Sequence, residues 1–578
     1  MSAPPLSRAT TAPTAALPAA SWTMKMGGYL RSPWGCTLLT GLLLWCSFYP
    51  LNWGWLGWVA LVPLLFLCDT TRTTVRGWRL YLPIYLASLL FTLVMLQWIR
   101  LASTPMYAIW IIVSLYVSWW YPTAVWLIRR LTGTLQLPLL LVAPVVWTGL
   151  EFLRALIYIG FAWYYLGHTQ HEVLPLIQIA DLFGAYGVSF VVMTGNVAVW
   201  ETLCWLGQRY YRQDKTASPR RFARAAAWAG VLLGASLAYG YWQLSRASML
   251  PGPRVAIVQG NMPQDLRNQP DEALENDRHF TKLGDQAARL RPDLLILPET
   301  CFSGWWHGIG PGVDRARLDA YWQGRVTGSE KWIKTYTDAW QCPILIGFSS
   351  RYWETTGEVK CNSALLFDVQ GRQQGRYDKI YLLPWGEYIP LEDYLPFLKW
   401  LSPYDYAFNL RCGTQVNVFP WQETPFAVLI CYEDSVPHLA PQFMRQPMRP
   451  TFFVNLSNDG WFKGSEEHEQ HFVSTRFRAI ENRRAVARSV NMGISGVIDG
   501  NGQVIALPGG VQNWSEAKAC AAVIEARIPL DQRDSLYVQW GEVLPTLCWF
   551  LILPGMVLAL RRAATEERRG TAPAAHPV

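Results

Sequence analysis

FAVLICYEDSVP, residues 426–437, is an apolar run that stops on Cys431 and passes straight into Tyr432, Glu433 and Asp434. Five consecutive apolar residues read as a strand covered on both faces, because a half-exposed strand alternates. A cysteine in such a place is usually a small core hydrophobe. Here it closes the strand beside two carboxylates, and the stretch holds no histidine.

The same pattern recurs through the surrounding chain. RVAIVQGN (254–261), DLLILPET (293–300), PILIGFSS (343–350), NSALLFD (362–368) and TFFVNLSND (451–459) are apolar runs ending in polar or glycine punctuation. Helical stretches at 271–290 and 466–485 lie between them. Strands alternating with helices point to a layered α/β domain. Polar side chains at the rim of such a sheet converge from distant parts of the chain.

The 578-residue chain is 51% hydrophobic, only 16% charged, and contains 31 tryptophans. A soluble domain is about 25% charged. The deficit is local: residues 34–68, 80–99, 101–128, 131–150, 225–244 and 543–560 carry no charge at all. A span needs about 20 apolar residues. The block 34–68 is broken by Pro50 and Asn52 and reads as a tight pair of short spans. Others follow near 80–99, 105–128, 136–153, 174–205, 227–244 and 541–560, which gives eight. The span with Asp181 is interrupted by DLFGAYG, and that lone acid is read either as functional or as lying near the interface.

Basic residues cluster in alternate loops: Arg72, Arg76 and Arg79; Arg129 and Arg130; Arg209, Arg212 and Lys215; Arg561 and Arg562. With eight spans these loops share one side, which is cytoplasmic by the positive-inside rule. The expected organisation is a disordered segment 1–24, a transmembrane domain 25–245 with seven helices, an exported catalytic domain 246–540, an eighth helix 541–561 and a basic cytoplasmic tail 562–578. These anchors account for the net charge of +8, so nucleic-acid binding is not needed to explain it. Six of the 11 cysteines fall in 246–540, at 301, 342, 361, 412, 431 and 520. Their spacing matches neither a paired zinc motif nor a regular disulfide framework.

Three strand ends carry chemistry: Glu299 closes LLILPE, Lys379 sits in YDKIYLLPWGEYIP, and Cys431 closes AVLIC. Singly, each has a plain reading as a helix N-terminal acid, a solvated lysine and a packed thiol. Jointly they form a covalent acyl-transfer apparatus. A carboxylate of raised pKa can take the thiol proton, and an ammonium can favour thiolate and stabilise an oxyanion.

At these residues the sequence resembles the nitrilase, or carbon–nitrogen hydrolase, superfamily, whose Glu-Lys-Cys triad appears in this order on an αββα sandwich. VQGNMPQ, LPET, YDKIYLLPWGEYIP, ICYED, NLSNDGWF and RFRAIENRRAVARSVNMGISGVIDGNG together are similar to the apolipoprotein N-acyltransferase family. So are FYPLNWGWLGWVALVPLL and GFAWYYLGHTQHEVLPLIQIADLFGAYGVSF in the membrane part. The resemblance implies an αββα domain joined to a polytopic helical membrane domain of about eight transmembrane helices, without cofactor or metal. Glu299 is then the general base, Lys379 the oxyanion cation and Cys431 the nucleophile. Glu387, Tyr432 and Glu433 support them. The implied reaction takes an acyl chain from a phospholipid, typically phosphatidylethanolamine, onto Cys431 as a thioester. The α-amine of diacylglyceryl-cysteine at the apolipoprotein N-terminus then accepts it, in the bacterial inner membrane with the site facing the periplasm. Asn268 stands where that family often has tryptophan.

Two apolar, glycine-bearing loops, CFSGWWHGIGPG (301–312) and LSPYDYAFNLRCG (401–413), are candidate covers. Trp305, Trp306 and Trp385 are the candidate substrate contacts. Cys301, two residues past Glu299, either pairs with Cys431 or is buried. EEHEQH (466–471) puts His468 and His471 three apart on a helix, which reads as a solvated charged helix rather than a metal site. Asn455 in NLS fits a glycosylation sequon, a chance match in a bacterial reading. Two other functions stay open on the residues alone: a membrane-tethered amidase or nitrilase using water as acceptor, and a non-enzymatic scaffold or transporter.

Overall fold

The computed structural model describes residues 31–570 apart from 71, 72, 74, 158, 159, 212, 214, 215, 217, 264–271 and 402–408. The readings made on residues 1–24, Arg72, Arg212, Lys215 and Asn268, on the middle of the 401–413 loop, and on the last eight residues lie outside that set.

The membrane part opens with two short helices, α1 (Pro33–Ser47) and α2 (Val62–Cys68). There follow α3 (Trp78–Met95), α4 (Met106–Ser118), α5 (Trp120–Leu135), α6 (Leu139–Leu156), α7 (Ala180–Leu206) and α8 (Arg220–Ser245). Within α7, Gly184 takes φ +66, and a Cβ there would meet the Tyr537 ring at 2.8 Å. The DLFGAYG interruption is thus a real kink, permitted by glycine and required by close packing.

The chain then builds two sheets. Its strands are β1 (Met249–Gln259), β2 (Leu294–Ile296), β3 (Trp306–Ile309), β4 (Ile344–Glu354), β5 (Gly357–Phe367), β6 (Gln373–Asp378), β7 (Val418–Phe419), β8 (Phe426–Ile430), β9 (Phe452–Ser457), β10 (Ala485–Val490), β11 (Gly496–Ile498), β12 (Val504–Ala506) and β13 (Ala522–Asp531). One sheet runs β13-β1-β2-β4-β5-β6 with β3 beside β4; the other runs β12-β11-β10-β9-β8-β7. The six apolar runs are β1, β2, β4, β5, β8 and β9, and both their faces are covered as expected. In β1, Val255 and Ile257 join the core shared with β8 and β9. Ala256 and Val258 face the cluster that holds Phe280 and Leu283 of α9 (Ala273–Arg289) and Ile333 and Trp340 of α10 (Ala320–Trp340).

The second sheet is covered by α11 (Glu467–Asn482), and every residue of that helix is buried. This corrects the solvated reading of EEHEQH. Phe472, Val473, Phe477 and Ile480 of α11 belong to the core shared by both sheets. The same helix meets the membrane bundle, where Phe477 packs on His168 and Glu481 accepts the Ala185 amide at 2.9 Å. The chain finishes in α12 (Val543–Gly570).

Among the described residues, six helices are long and apolar enough to cross a membrane, against the eight expected. They are Trp78–Met95, Met106–Leu135, Leu139–Leu156, Ala180–Tyr210, Arg220–Ser245 and Val543–Thr565. The difference lies in the 34–68 block, where α1 has 15 residues and α2 seven. At 1.5 Å per residue neither reaches the roughly 30 Å of a bilayer core.

One buried constellation bolts the domain to the bundle. Arg483, just past α11, donates to Asp181 Oδ2 through Nε at 2.9 Å and Nη2 at 2.6 Å. Its Nη1 reaches Gln178 Oε1 at 2.6 Å, and Tyr239 and Gln243 of α8 donate to Asp181 from the other side. Asp181 is thus not a lone acid: it pairs with a domain arginine at the seam between domain and bundle, a structural role that neither reading of it anticipated. Removing one member of a buried pair strands the other charge. Asp181→Ala is expected to cost about 3–5 kcal/mol, seen as a lowered Tm of the purified protein, whereas Tyr239→Phe, which leaves the pair intact, should cost far less.

Candidate active site

The ends of β2, β6 and β8 fall on one edge of the sandwich. β6 runs antiparallel to β5, which runs antiparallel to β4, so β6 points the same way as β4 and its parallel neighbour β2. Glu299 follows β2, Lys379 directly follows β6, and Cys431 directly follows β8. The approach is tight: a Cβ on Gly347 of β4 would lie 2.6 Å from the Glu299 Cα. Cys431 itself has φ +55, a conformation uncommon for a side-chain-bearing residue and concentrated at functional sites. Its carbonyl is held by Asn455 Nδ2 at 3.0 Å, so the NLS asparagine is a buried strut of β9.

Lys379 is 1% exposed. Its Nζ lies 2.9 Å from Glu387 Oε2 and 3.6 Å from Glu299 Oε1. Asn362 joins the two acids, donating at 2.6 Å to Glu299 and 2.8 Å to Glu387. Burial works against the ammonium, but Glu387, Cys431 and Glu299 outweigh it and keep Lys379 charged. Burial pushes Glu299 up from the usual carboxylate range; Lys379 opposes this and Glu387 reinforces it. Burial and then Glu299 push the Cys431 thiol well up, with Lys379 pulling the other way. The resting pair is therefore a protonated thiol facing a carboxylate of enhanced basicity, with a cation held beside both.

The supporting residues divide by task. Glu387 also accepts the Leu383 amide at 2.7 Å, so it pins the PWGEYIP turn while neutralising Lys379. Tyr432 lies under the Lys379 ammonium, 5.6 Å from ring centre to Nζ, and donates to the Leu382 carbonyl at 2.9 Å. Glu433 is a clamp: it accepts from the amides of Ile430, Ile380 and Tyr381 and from the Tyr377 hydroxyl, all within 3.0 Å. It fastens the exit of β8 to the exit of β6, and so holds Cys431 at a set distance from Lys379.

Trp305 and Trp385 line the cavity at this site. Trp306 does not, which corrects its place among the substrate contacts. It starts β3 and packs on Phe348 and Phe367 in the core under α10. Neighbouring residues at a strand point to opposite sides, so only one of the two tryptophans faces the cavity. Cys301 is buried in that same core, whereas Cys431 packs against the other one, which settles the choice left open for Cys301 in favour of burial.

Behind the cysteine lies a network whose members the sequence did not connect. His471 Nε2 meets Asp434 Oδ1 at 2.7 Å, and its Nδ1 lies 3.1 Å from Asp459 Oδ1. Arg488 of β10 reaches Asp434 and Asp459, each at 2.8 Å. Burial and Arg488 oppose charge on His471, but Asp434 and Asp459 prevail and push it up to about 10. Asp459, Glu467 and His471 do offer ligand atoms within 4.8 Å of one another. However, Arg488 Nη2 already contacts both Asp459 and His471, so a guanidinium stands where a metal would bind.

The cavity is about 390 Å³. One wall holds Glu299, Lys379 and Cys431; the other holds Met106, Ile109 and Val113 of α4, with Trp98 and Phe161 from the adjoining loops. The carbon–nitrogen hydrolase family model matches residues 254–536, and the model of the apolipoprotein N-acyltransferase N-terminal domain matches 40–198. A Geobacter metallireducens apolipoprotein N-acyltransferase is 30% identical over 92% of this chain and 96% of its own length. One from Rhodopirellula baltica is 28% identical over 87% and 92%. Among solved structures, an amidase from Nesterenkonia sp. is similar at 16% identity and a TM-score of 0.36, over 53% of this chain and 98% of its own. The molecule is thus a carbon–nitrogen hydrolase domain seated on a bundle of membrane helices. The chain belongs to the apolipoprotein N-acyltransferase family.

Asn362→Ala should leave two buried carboxylates short of a donor and misplace Glu299, lowering kcat/KM about 100-fold in a steady-state assay. Because the thiol is pushed up, alkylation of Cys431 by iodoacetamide should be slow near neutral pH and climb only as pH passes the ordinary thiol range. Lys379→Met should move that climb to still higher pH, as read by site-resolved mass spectrometry.

Proposed function

We propose that the enzyme N-acylates apolipoproteins by a two-step acyl transfer, with Cys431 as nucleophile, Glu299 as general base and acid, and Lys379 as the oxyanion cation. Glu387, Tyr432 and Glu433 position these three. The observation that carries the reading is the shared cavity: the same space is lined by Cys431 and by Met106, Ile109 and Val113 of a membrane-crossing segment. A fatty chain can lie along that apolar wall while its ester carbonyl reaches the sulfur.

In the first step Glu299 takes the Sγ proton as sulfur attacks the ester carbonyl of a phospholipid. Lys379 faces the developing oxyanion. Collapse breaks the ester C–O bond, Glu299 returns the proton to the departing alkoxide, and a lysophospholipid leaves. In the second step the neutral α-amine of the diacylglyceryl-cysteine attacks the thioester. Glu299 takes a proton from the nitrogen, the C–S bond breaks, and the thiolate is reprotonated. The donor is a phospholipid, phosphatidylethanolamine in this reading.

The enzyme belongs to the bacterial inner membrane, with the domain 246–540 on the periplasmic face. Two observations support that orientation. The connections 96–105 and 160–179 and the ends of α8 and α12 near residues 246 and 541 meet the sandwich. The opposite ends of the same helices carry Arg76, Arg79, Arg129, Arg130, Arg209 and Arg561. The competing hydrolase reading differs only in its acceptor, water instead of an amine.

Incubation with phosphatidylethanolamine should add one acyl mass to Cys431, removable by hydroxylamine or by a diacylated lipopeptide. The adduct should be absent in Cys431→Ala and fall at least about 100-fold in rate in Glu299→Gln. An adduct that persists in Cys431→Ala would overturn the assignment. Release as free fatty acid with no N-acylated lipopeptide would favour the hydrolase.

A further inference from the structure

Glu467 is the one acid in the polar wall of the cavity that the surrounding cations leave over. Asp434 and Asp459 are matched by His471 and Arg488. In the catalytic group two carboxylates, Glu299 and Glu387, already share a single ammonium, Lys379. Glu469, two residues on, is paired with Lys518 at 2.7 Å. Glu467 is 1% exposed and lines the cavity with Cys431. Its Oε1 comes only within 3.6 Å of His471 Nδ1, and its Oε2 has no hydrogen-bond partner among the described residues. The next nearest basic nitrogen is His468 Nε2 at 4.0 Å, which is engaged with the Asp459 carbonyl. Burial pushes that imidazole down to about 4, so it supplies no charge.

A buried carboxyl with an unmatched oxygen needs either a proton or a cation. Burial first, and the Asp459 charge next, push Glu467 well up, so the empty site holds the proton. An incoming cation can displace it. The same cavity presents the rings of Trp98, Trp163 and Phe462, which favour an organic cation over a hydrated metal ion.

We infer that Glu467 is the docking carboxylate for a primary ammonium group on a lipid-anchored substrate. The inference rests on the acyl-transfer reading, which supplies two such groups: the headgroup of an ethanolamine phospholipid and the α-amine of the acceptor. The α-amine docks as an ammonium and leaves its proton on the Glu467 carboxylate before attacking in the neutral form. Either group would be drawn into a cavity whose acids outnumber its cations, and a carboxylate–ammonium hydrogen bond would orient it.

The test uses the full-length protein in nanodiscs and separates the two sources. In the first arm, acyl-enzyme formation on Cys431 is timed with phosphatidylethanolamine and with phosphatidylglycerol of identical chains. If the headgroup docks, Glu467→Gln lowers the ethanolamine-to-glycerol rate ratio roughly tenfold. In the second arm, preformed acyl-enzyme is titrated with diacylated lipopeptide. If the acceptor docks, the same substitution raises KM roughly tenfold with a smaller change in kcat. Glu467→Asp, which keeps the charge, should recover most of either loss. An unchanged ratio together with an unchanged KM overturns the inference. So does an equal slowing with both lipids and no shift in KM, which is the signature of packing alone. Absence of any Cys431 adduct in the unsubstituted protein would instead bring down the acyl-transfer reading beneath it.

Discussion

An ammonium group 1% exposed to solvent is the constraint from which the site follows. Lys379 keeps its charge only because carboxylates stand where water would have been. Glu387 does most of that at 2.9 Å, and Glu299, at 3.6 Å, shares the load. This unequal division has a chemical consequence. Had Glu299 held the closer contact, its carboxylate would be stabilised and poorly basic. With Glu387 taking the close contact, Glu299 keeps a raised pKa and can accept a thiol proton. Asn362 then becomes necessary, because two acids beside one cation need a donor between them to stay in place. The turn that delivers Glu387 is held in an unusual shape for the same purpose, with Trp385 at φ +67.

The second demand is that a domain built from soluble-type sheets must keep its open edge against a membrane bundle. α11 solves this by being buried on all sides, with one face in the sandwich core and the other against α7 and the 163–171 segment. A helix so placed cannot use water to satisfy polar side chains, so its charges other than Glu467 find protein partners: Glu469 with Lys518, His471 with Asp434 and Asp459, and Arg478 with Glu481. Arg483 at its end fixes the domain to Asp181. The alignment of Cys431 with the apolar wall of α4 depends on that seam, because the cavity has walls from both sides.

What was legible in the sequence, and what was not, divides along physical lines. Strands covered on both faces write continuous apolar runs, and two of their ends are where Glu299 and Cys431 were found. Lys379 follows β6, whose QQGRYD is largely polar, and stood out through YDKIYLLPWGEYIP instead. The membrane helices were legible from missing charge, except that α1 and α2 are apolar without being long. The burial of α11 was hidden because Glu, His and Arg ordinarily signal solvent. Their partners Asp434 and Arg488 lie 37 residues before and 17 after His471, on other elements. Asp181 and Arg483 are 302 residues apart, beyond any local pattern. Asn362 sat inside a run noted only for its strand character, and nothing in a lone asparagine marks it as the link between two acids. Trp305 and Trp306 looked equivalent until the start of β3 put them on opposite sides.

On the proposed chemistry, the placement of the cavity also bears on why an amine and not water takes the acyl group. A thioester is open to hydrolysis, and water is the more abundant competitor. Selectivity toward the amine therefore needs either a large rate advantage or exclusion of water. Trp98, Phe161, Trp305 and Trp385 wall the cavity with apolar surface, and α4 closes it toward the bundle. A membrane-anchored acceptor arrives at high local concentration, since its own acyl chains hold it beside the site. A small soluble amine has no such advantage. The domain and the bundle are thus two halves of one selectivity device: the domain supplies an acyl-transfer centre that water could equally discharge, and the helices decide which nucleophile reaches it.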